Sequence, residues 1–249
     1  MIQFDGVTKT FNAGTANELV VLNNVSINIP KSSFVVIIGS NGAGKSSLLN
    51  CIAGSFRPDK GKVLIDNQDV TSSHDYERSR LLARIFQNPT LGTAPELSIL
   101  ENFRLAALRT KTKKLTVGNN RSFELIAKEK ISKLKMGLES KLNQPMGTLS
   151  GGQRQALTLV MATMDDCKVL LLDEPTAALD PKSANIVMEK AAEIISENQL
   201  TAVMITHKMK DAITYGDTLF LLHEGSIKKT YFSLEKMNLK YENLVELFN

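Results

Sequence analysis

Residues 39–47 read GSNGAGKSS, three glycines, one lysine and three serines directly after the apolar run FVVII. Side chains in such a loop pack little, so its backbone must have a task. Gly39, Gly44, Lys45 and Ser46 fit the spacing G-x-x-x-x-G-K-[ST]. Glycine lets a backbone approach a ligand closely, and N–H groups that run into a helix N-terminus form an anion cradle. In that cradle Lys45 reaches β- and γ-phosphates, the Ser46 hydroxyl holds Mg2+, and Ser47 is placed to touch the α-phosphate. The chemistry indicated is binding of a nucleoside triphosphate.

Two further stretches bear on what happens to it. KVLLLDEP puts Asp173 and Glu174 at the end of an apolar run. In open α/β sheets ligands bind beyond the C-terminal ends of strands. There an aspartate can hold the metal, and Glu174 is suited to act as general base on water. TLSGGQRQ, residues 148–155, adds a second glycine-bearing turn opening a helix, hence a second anion site. A simple nucleotidase needs one such site. The economical explanation is that Ser150, Gly151 and Gly152 face the γ-phosphate held by another copy's cradle.

The elements that position these residues follow from periodicity. MIQFDGV and LVVLNNVSINI read as strands, and FVVII as a strand buried on both faces. GKVLIDNQDV reads as a pair of short strands, and RIFQ, DCKVLLLD and TAVMIT as further strands. PKSANIVMEKAAEIISEN reads as a helix with Asp180 as N-cap and Pro181 at its first position. TLFLLHEGSIKKTYF closes as a hairpin around Glu224–Gly225. Strands alternating with helices indicate a parallel α/β sheet. Residues 88–165 differ, with helical periodicity in SILENFRLAALR, SFELIAKEKISKLK and GQRQALTLVMAT. That is a helical insertion. Within it RTKTKKLTVGNNR reads as a solvated basic loop, and near the C-terminus Tyr241, Leu244, Val245 and Phe248 share one helical face.

The whole chain sets bounds. Its 249 residues suffice for one large domain, or a core with a subdomain. A composition 43% hydrophobic and 22% charged can bury a sizeable core, and a net charge of +4 is too mild to argue for nucleic acid. No apolar run approaches the ~18 residues of a membrane span, and MIQFDGVTKTF lacks a signal-peptide pattern. A soluble cytosolic protein is expected. Cys51 and Cys167 read as reduced core residues, and with His74, His207 and His223 they show no zinc-type spacing.

Taken together, these motifs resemble the ATP-binding-cassette family over almost the entire chain. GSNGAGKSS is similar to its Walker A loop, implying nucleotide contacts from Gly39, Ser40, Asn41, Gly42, Ala43, Gly44, Lys45, Ser46 and Ser47. Ser40 and Ser47 stand where proline and threonine are common. LSGGQ matches the family signature, bringing Gln153 to Ser150, Gly151 and Gly152, and VLLLDE matches Walker B. Gln87 of RIFQNP resembles the Q-loop glutamine, which senses Mg2+. AALD resembles the D-loop, ending at Asp180. His207 of MITHKM resembles the switch histidine, able to bond a γ-phosphate oxygen. Phe11 falls where the family stacks an aromatic ring on adenine, before a loop longer than usual.

The resemblance implies a P-loop NTPase core, a mostly parallel sheet with antiparallel N-terminal strands and an inserted α-helical subdomain. One ABC ATPase domain fills 1–249, with 1–87 and 166–249 as RecA-like core and 88–165 as helical signature subdomain. It implies two copies, head to tail, enclosing two ATP with Mg2+. The partner is an integral membrane permease on separate chains, holding the ATPase on the inner face of the membrane. TAPELSILENF sits where the family receives a permease helix, with Leu97, Ile99, Leu100 and Phe103 as apolar candidates. FNAGTANE and LSGGQRQALTLVMAT further resemble an importer branch for amino-acid-type substrates, which implies an extracytoplasmic solute-binding protein. The alternatives are the ATPase of a lipid or macrolide exporter, or a soluble non-transport cassette. The chain lacks the coiled-coil insertion of repair types and the tandem cassettes of translation types.

Overall fold

The computed structural model describes residues 1–110, 118, 120–239, 242 and 244. Two sheets organise them. Strands β1 (Ile2–Phe11), β2 (Leu19–Ile29), β4 (Lys60–Ile65) and β5 (Gln68–Asp69) form an antiparallel sheet in the order β2-β1-β4-β5. The second sheet contains β3 (Phe34–Ile38), β6 (Leu82–Ile85), β7 (Val169–Asp173), β8 (Thr201–Ile205), β9 (Thr218–His223) and β10 (Ser226–Tyr231). Its order is β10-β9-β3-β8-β7-β6, parallel throughout except for the closing β9–β10 hairpin.

The wholly apolar strands are explained by what covers each face. Successive side chains in a strand point to opposite sides. Val35 and Ile37 of β3, Leu171 of β7 and Val203 of β8 belong to one core, shared with the antiparallel sheet and helix α1 (Lys45–Ala53). Val36, Leu170, Leu172 and Met204 belong to the other, formed with the helices on the opposite side. Within α1, Leu48, Leu49 and Ile52 are fully buried between the two sheets. Each such side chain contributes about 1.5–3 kcal/mol by leaving water. This burial fixes the helix whose first turn follows the glycine loop.

The other helices are α2 (Asp75–Arg78), α3 (Ile99–Ala106), α4 (Arg121–Ser132), α5 (Gly151–Ala162), α6 (Pro181–Glu197), α7 (Met209–Thr214) and α8 (Ser233–Met237). Helix α6 starts as its sequence indicates: the Asp180 carboxylate accepts from the N–H groups of Lys182 and Ser183, ahead of Pro181. A capping box starts α3, with Ser98 and Glu101 bonding each other's backbone N–H. Asn102, one turn on, is 1% exposed and accepts from Ala94 N–H while donating to the carbonyls of Ala94, Leu97 and Ser98. That one amide holds the loop entering α3.

Several expectations are adjusted. The strand read in RIFQ begins at Leu82 and ends at Ile85, so Gln87 lies on the loop beyond it. Ile99, Leu100 and Phe103 are buried in the helical core and Leu97 is half-buried, so these four do not form an exposed apolar face. Cys51 is buried and Cys167 half-buried, both free; burial pushes the Cys51 thiol up to about 11. Of the basic loop, residues 111–117 and 119 lie outside the described residues, as do Tyr241, Val245 and Phe248; Leu244 is fully buried.

Candidate functional site

Three adjacent parallel strands carry the site at their C-terminal ends. Ile37 of β3 is level with Ile205 of β8, which is level with Asp173 of β7. The backbone continues this alignment: Thr206 N–H donates to Ile37 O and Glu174 N–H to Ile205 O. The glycine loop, the Asp173–Glu174 pair and His207 therefore emerge along one edge.

The loop is held from behind. Gly225 N–H donates to Ala43 O and Asn23 N–H to Gly225 O, so the β9–β10 turn and β2 brace it. Two of its glycines have no substitute. A Cβ on Gly39 would lie 2.3 Å from Leu222 O, and one on Gly44 2.4 Å from Val21 O at φ 99°. Lys45 is 7% exposed, and its Nζ donates to the carbonyls of Gly39 (2.8 Å) and Ser40 (3.0 Å). Burial lowers its pKa, partly offset by the charge of Glu174. The ammonium is thus folded onto its own loop. Ser40, Asn41, Gly42 and Ser46 are exposed, while Ala43 is buried and Ser47 half-buried.

Glu174 occupies the left-handed region at φ 45°. Its Oε2 lies 3.0 Å from His207 Nδ1, so the carboxylate and the imidazole form a pair at the strand edge. Behind them, Lys208 Nζ donates to both Thr176 O and Thr176 Oγ1 at 3.1 Å, joining the turns after β7 and β8.

Sequence reasoning missed Arg84. From β6, its guanidinium bonds the Asp173 carboxylate and donates to Asn50 Oδ1 of α1 at 2.7 Å. It lies 4.9 Å from the centre of the Phe86 ring. The available signal was a lone arginine inside an apolar strand. Gln155 was also missed; fully buried on α5, it donates to Phe86 O and so holds the backbone beside the exposed Gln87.

At the other glycine turn, Ser150 caps α5, and its Oγ accepts from Gln153 N–H while Gln153 Oε1 accepts from Ser150 N–H. Ser150 and Gly151 are exposed. A Cβ on Gly152 would lie 2.7 Å from the Ser183 Cβ, so this glycine permits close packing of α5 on α6. Asp180 is exposed but committed to capping α6. Phe11 is 38% exposed and meets Phe56 edge-on, 5.5 Å between ring centres. Thr10 N–H and Lys9 Nζ both bond Asp59, which fixes the end of β1 that presents this ring.

Ser46, Gln87 and Asp173 each offer oxygen donors of the hard kind. Mg2+ is typically held by one or two carboxylates with substrate phosphates, so these residues fit it. A groove of about 350 Å3 opens nearby between β6, the 89–94 segment, α3 and α5, lined among others by Arg84, Leu91, Ala94, Leu105 and Met161. Leu91 is 68% and Leu105 55% exposed.

These features agree with the likeness to known proteins. The family model for ABC transporters matches residues 22–177. Over 251 residues the chain is 39% identical to a tyrosine transport ATP-binding protein of Clostridioides difficile (strain R20291), covering 100% of this chain and 98% of that protein. It is 32% identical over 235 residues to a methionine import ATP-binding protein of Haemophilus ducreyi (strain 35000HP), covering 92% of this chain but only 64% of that relative. A solved dimeric ATP-binding cassette, in a post-hydrolysis state bound to ADP and Pi, superposes with a TM-score of 0.79 at 28% identity, covering 93% of this chain and 98% of that one. A phosphate cradle, an acidic strand end and a capped second glycine turn on this fold have one common explanation: the chain belongs to the ABC transporter family and is one of its ATP-binding, ATP-hydrolysing cassettes.

Proposed function

We propose that the chain is the ATPase subunit of an importer for a small amino-acid-type solute, working through a separate membrane permease. The observation that carries the ATPase part is the single strand edge joining Gly39–Ser47, Asp173–Glu174 and His207. The substrate class is supported by the full-length likeness to the tyrosine transport protein. Among the described residues no helix is long and apolar enough to cross a membrane, and the exposed leucines of the Leu91–Leu105 groove suit a permease helix. The cassette then sits on the cytoplasmic face, and a solute-binding protein delivers cargo outside.

In this reading Lys45 exchanges the Gly39 and Ser40 carbonyls for phosphate oxygens, and Phe11 supports the adenine ring. Ser46, Gln87 and Asp173 would hold Mg2+, which would neutralise phosphate charge there. Glu174 takes the proton of the attacking water. His207 orients Glu174 and donates toward the γ-phosphate. Asp180 stiffens the turn before α6, and the exposed α5 N-terminus at Ser150–Gln153 meets the γ-phosphate of a second copy. Residues 88–165 move as a helical subdomain against the core of 1–87 and 166–249.

The shared site is tested by mixing. Lys45→Ala disables one cradle, and Ser150→Arg places a bulky cation at a helix N-terminus meant for phosphate. With Glu174→Gln in both to prevent turnover, neither variant alone dimerises with ATP. A mixed dimer contains one site built from two sound halves. ATP-dependent dimers on light scattering, only in the mixture, are expected. No rescue at any ratio, in the complete solubilised transporter as well, would overturn the shared-site reading.

A further inference from the structure

The guanidinium of Arg84 reaches from β6 to the acidic strand end and to the helix that follows the glycine loop. Its guanidinium bonds the Asp173 carboxylate, reaches Asn50 on the P-loop helix at 2.7 Å, and stacks on Phe86. The Arg84 and Asp173 side chains are each 15% exposed. A carboxylate so enclosed needs a cation to balance it. On the reading that Asp173 is a metal ligand, Arg84 and the metal are two cations directed at one carboxylate.

We propose that Arg84 is a resident counter-cation of the metal site: it satisfies Asp173 when the cradle is empty and competes with the divalent cation when ATP arrives. Two effects oppose each other. Removing Arg84 frees the orientation of Asp173, which weakens metal binding. Removing it also leaves the full carboxylate charge to attract a divalent ion, and the charge product with that ion is twice that of the Arg84–Asp173 pair. In a partly dry site the second effect wins. Arg84 thus makes the empty state more stable and the site more demanding of Mg2+. A purely architectural arginine would do the first alone.

The test uses the full chain with Glu174→Gln, a fluorescent ATP analogue and titrated MgCl2. Arg84→Met should lower the half-saturating Mg2+ by at least about tenfold, since one unit charge at ~4 Å changes an affinity about fivefold in water and more in a partly dry site. It should also lower the melting temperature without nucleotide and enlarge the rise caused by Mg2+ and ATP. Arg84→Lys keeps the charge but not the stacked fork, so its Mg2+ requirement should stay closer to that of the parent than to that of the neutral variants. Arg84→Gln, polar and neutral, should behave as Arg84→Met and serves if the Met variant does not fold. An unchanged or raised Mg2+ requirement in the neutral variants would overturn the competition, whatever happens to the melting temperature. Absence of Mg2+-dependent ATP binding in the parent would instead overturn the nucleotide-site reading on which the proposal rests.

Discussion

Glu174 combines a strained backbone with an assigned chemical task, so substituting it separates the two. At φ 45°, a residue with a Cβ sits in a region costing roughly 1–2 kcal/mol relative to the ordinary basins. Glycine avoids that cost but has a freer unfolded chain, which returns roughly 0.5–1 kcal/mol. Glu174→Ala and Glu174→Gly both lose the carboxylate and its 3.0 Å contact with His207, and differ by the Cβ alone. The Gly variant should be the more stable by about 0.5–1 kcal/mol, a melting difference of about 1–4 °C for a chain of this size. Turnover is a separate readout. Glu174→Gln preserves shape and hydrogen-bonding capacity, yet should lose at least about a hundredfold, or ~2.7 kcal/mol of barrier, with ATP affinity retained. The assays are scanning calorimetry and phosphate release with saturating ATP. Equal melting of the Ala and Gly variants would refute the strain argument, and Glu174→Gln turnover within tenfold of the parent would refute the base.

Two further outcomes follow from buried cations. Arg78, 1% exposed, donates to the carbonyls of Cys51, Ile52, Thr71 and Ser73, closing the far end of the P-loop helix. Arg78→Met leaves those carbonyls without that donor and should cost about 2–4 kcal/mol, or about 5–15 °C of melting temperature; a change below 2 °C would count against it. Lys236 donates to the carbonyls of Tyr215 and Gly216, and burial pushes it down from 10.5 to about 8. Between those values the unfolded chain holds the proton that the folded chain has released, so stability rises with pH. The stability gap between parent and Lys236→Met in urea titrations should therefore widen in favour of the parent from pH 8 to pH 10, and a constant or narrowing gap would contradict the assignment.

The cradle, the acidic strand end and the capped turns were legible in the sequence because each is a local device. A glycine loop before a helix, Asp180–Pro181 before α6 and the Ser150–Gly152 turn before α5 act within one or two turns, so spacing identifies them; that Ser150 and Gln153 cap each other's backbone there came from the structure. Strands β3, β7 and β8 were legible because burial on both faces demands unbroken apolar runs. Short elements such as α2, α7 and α8 were not, since one or two turns show no period. Nor could the sequence show that Ile99, Leu100 and Phe103 turn inward while Leu91 and Leu105 face the groove. That depends on which face α3 gives to its neighbours. Arg84 is the clearest case: its partners lie 34 and 89 residues away, and only the order of strands β7 and β6 makes them neighbours. The sequence alone determined where a glycine loop, an acidic strand end and a second glycine turn would lie, through short-range spacing. Tertiary packing decided which charges share a carboxylate, because such contacts arise only when distant segments are pressed together by the burial of a common core.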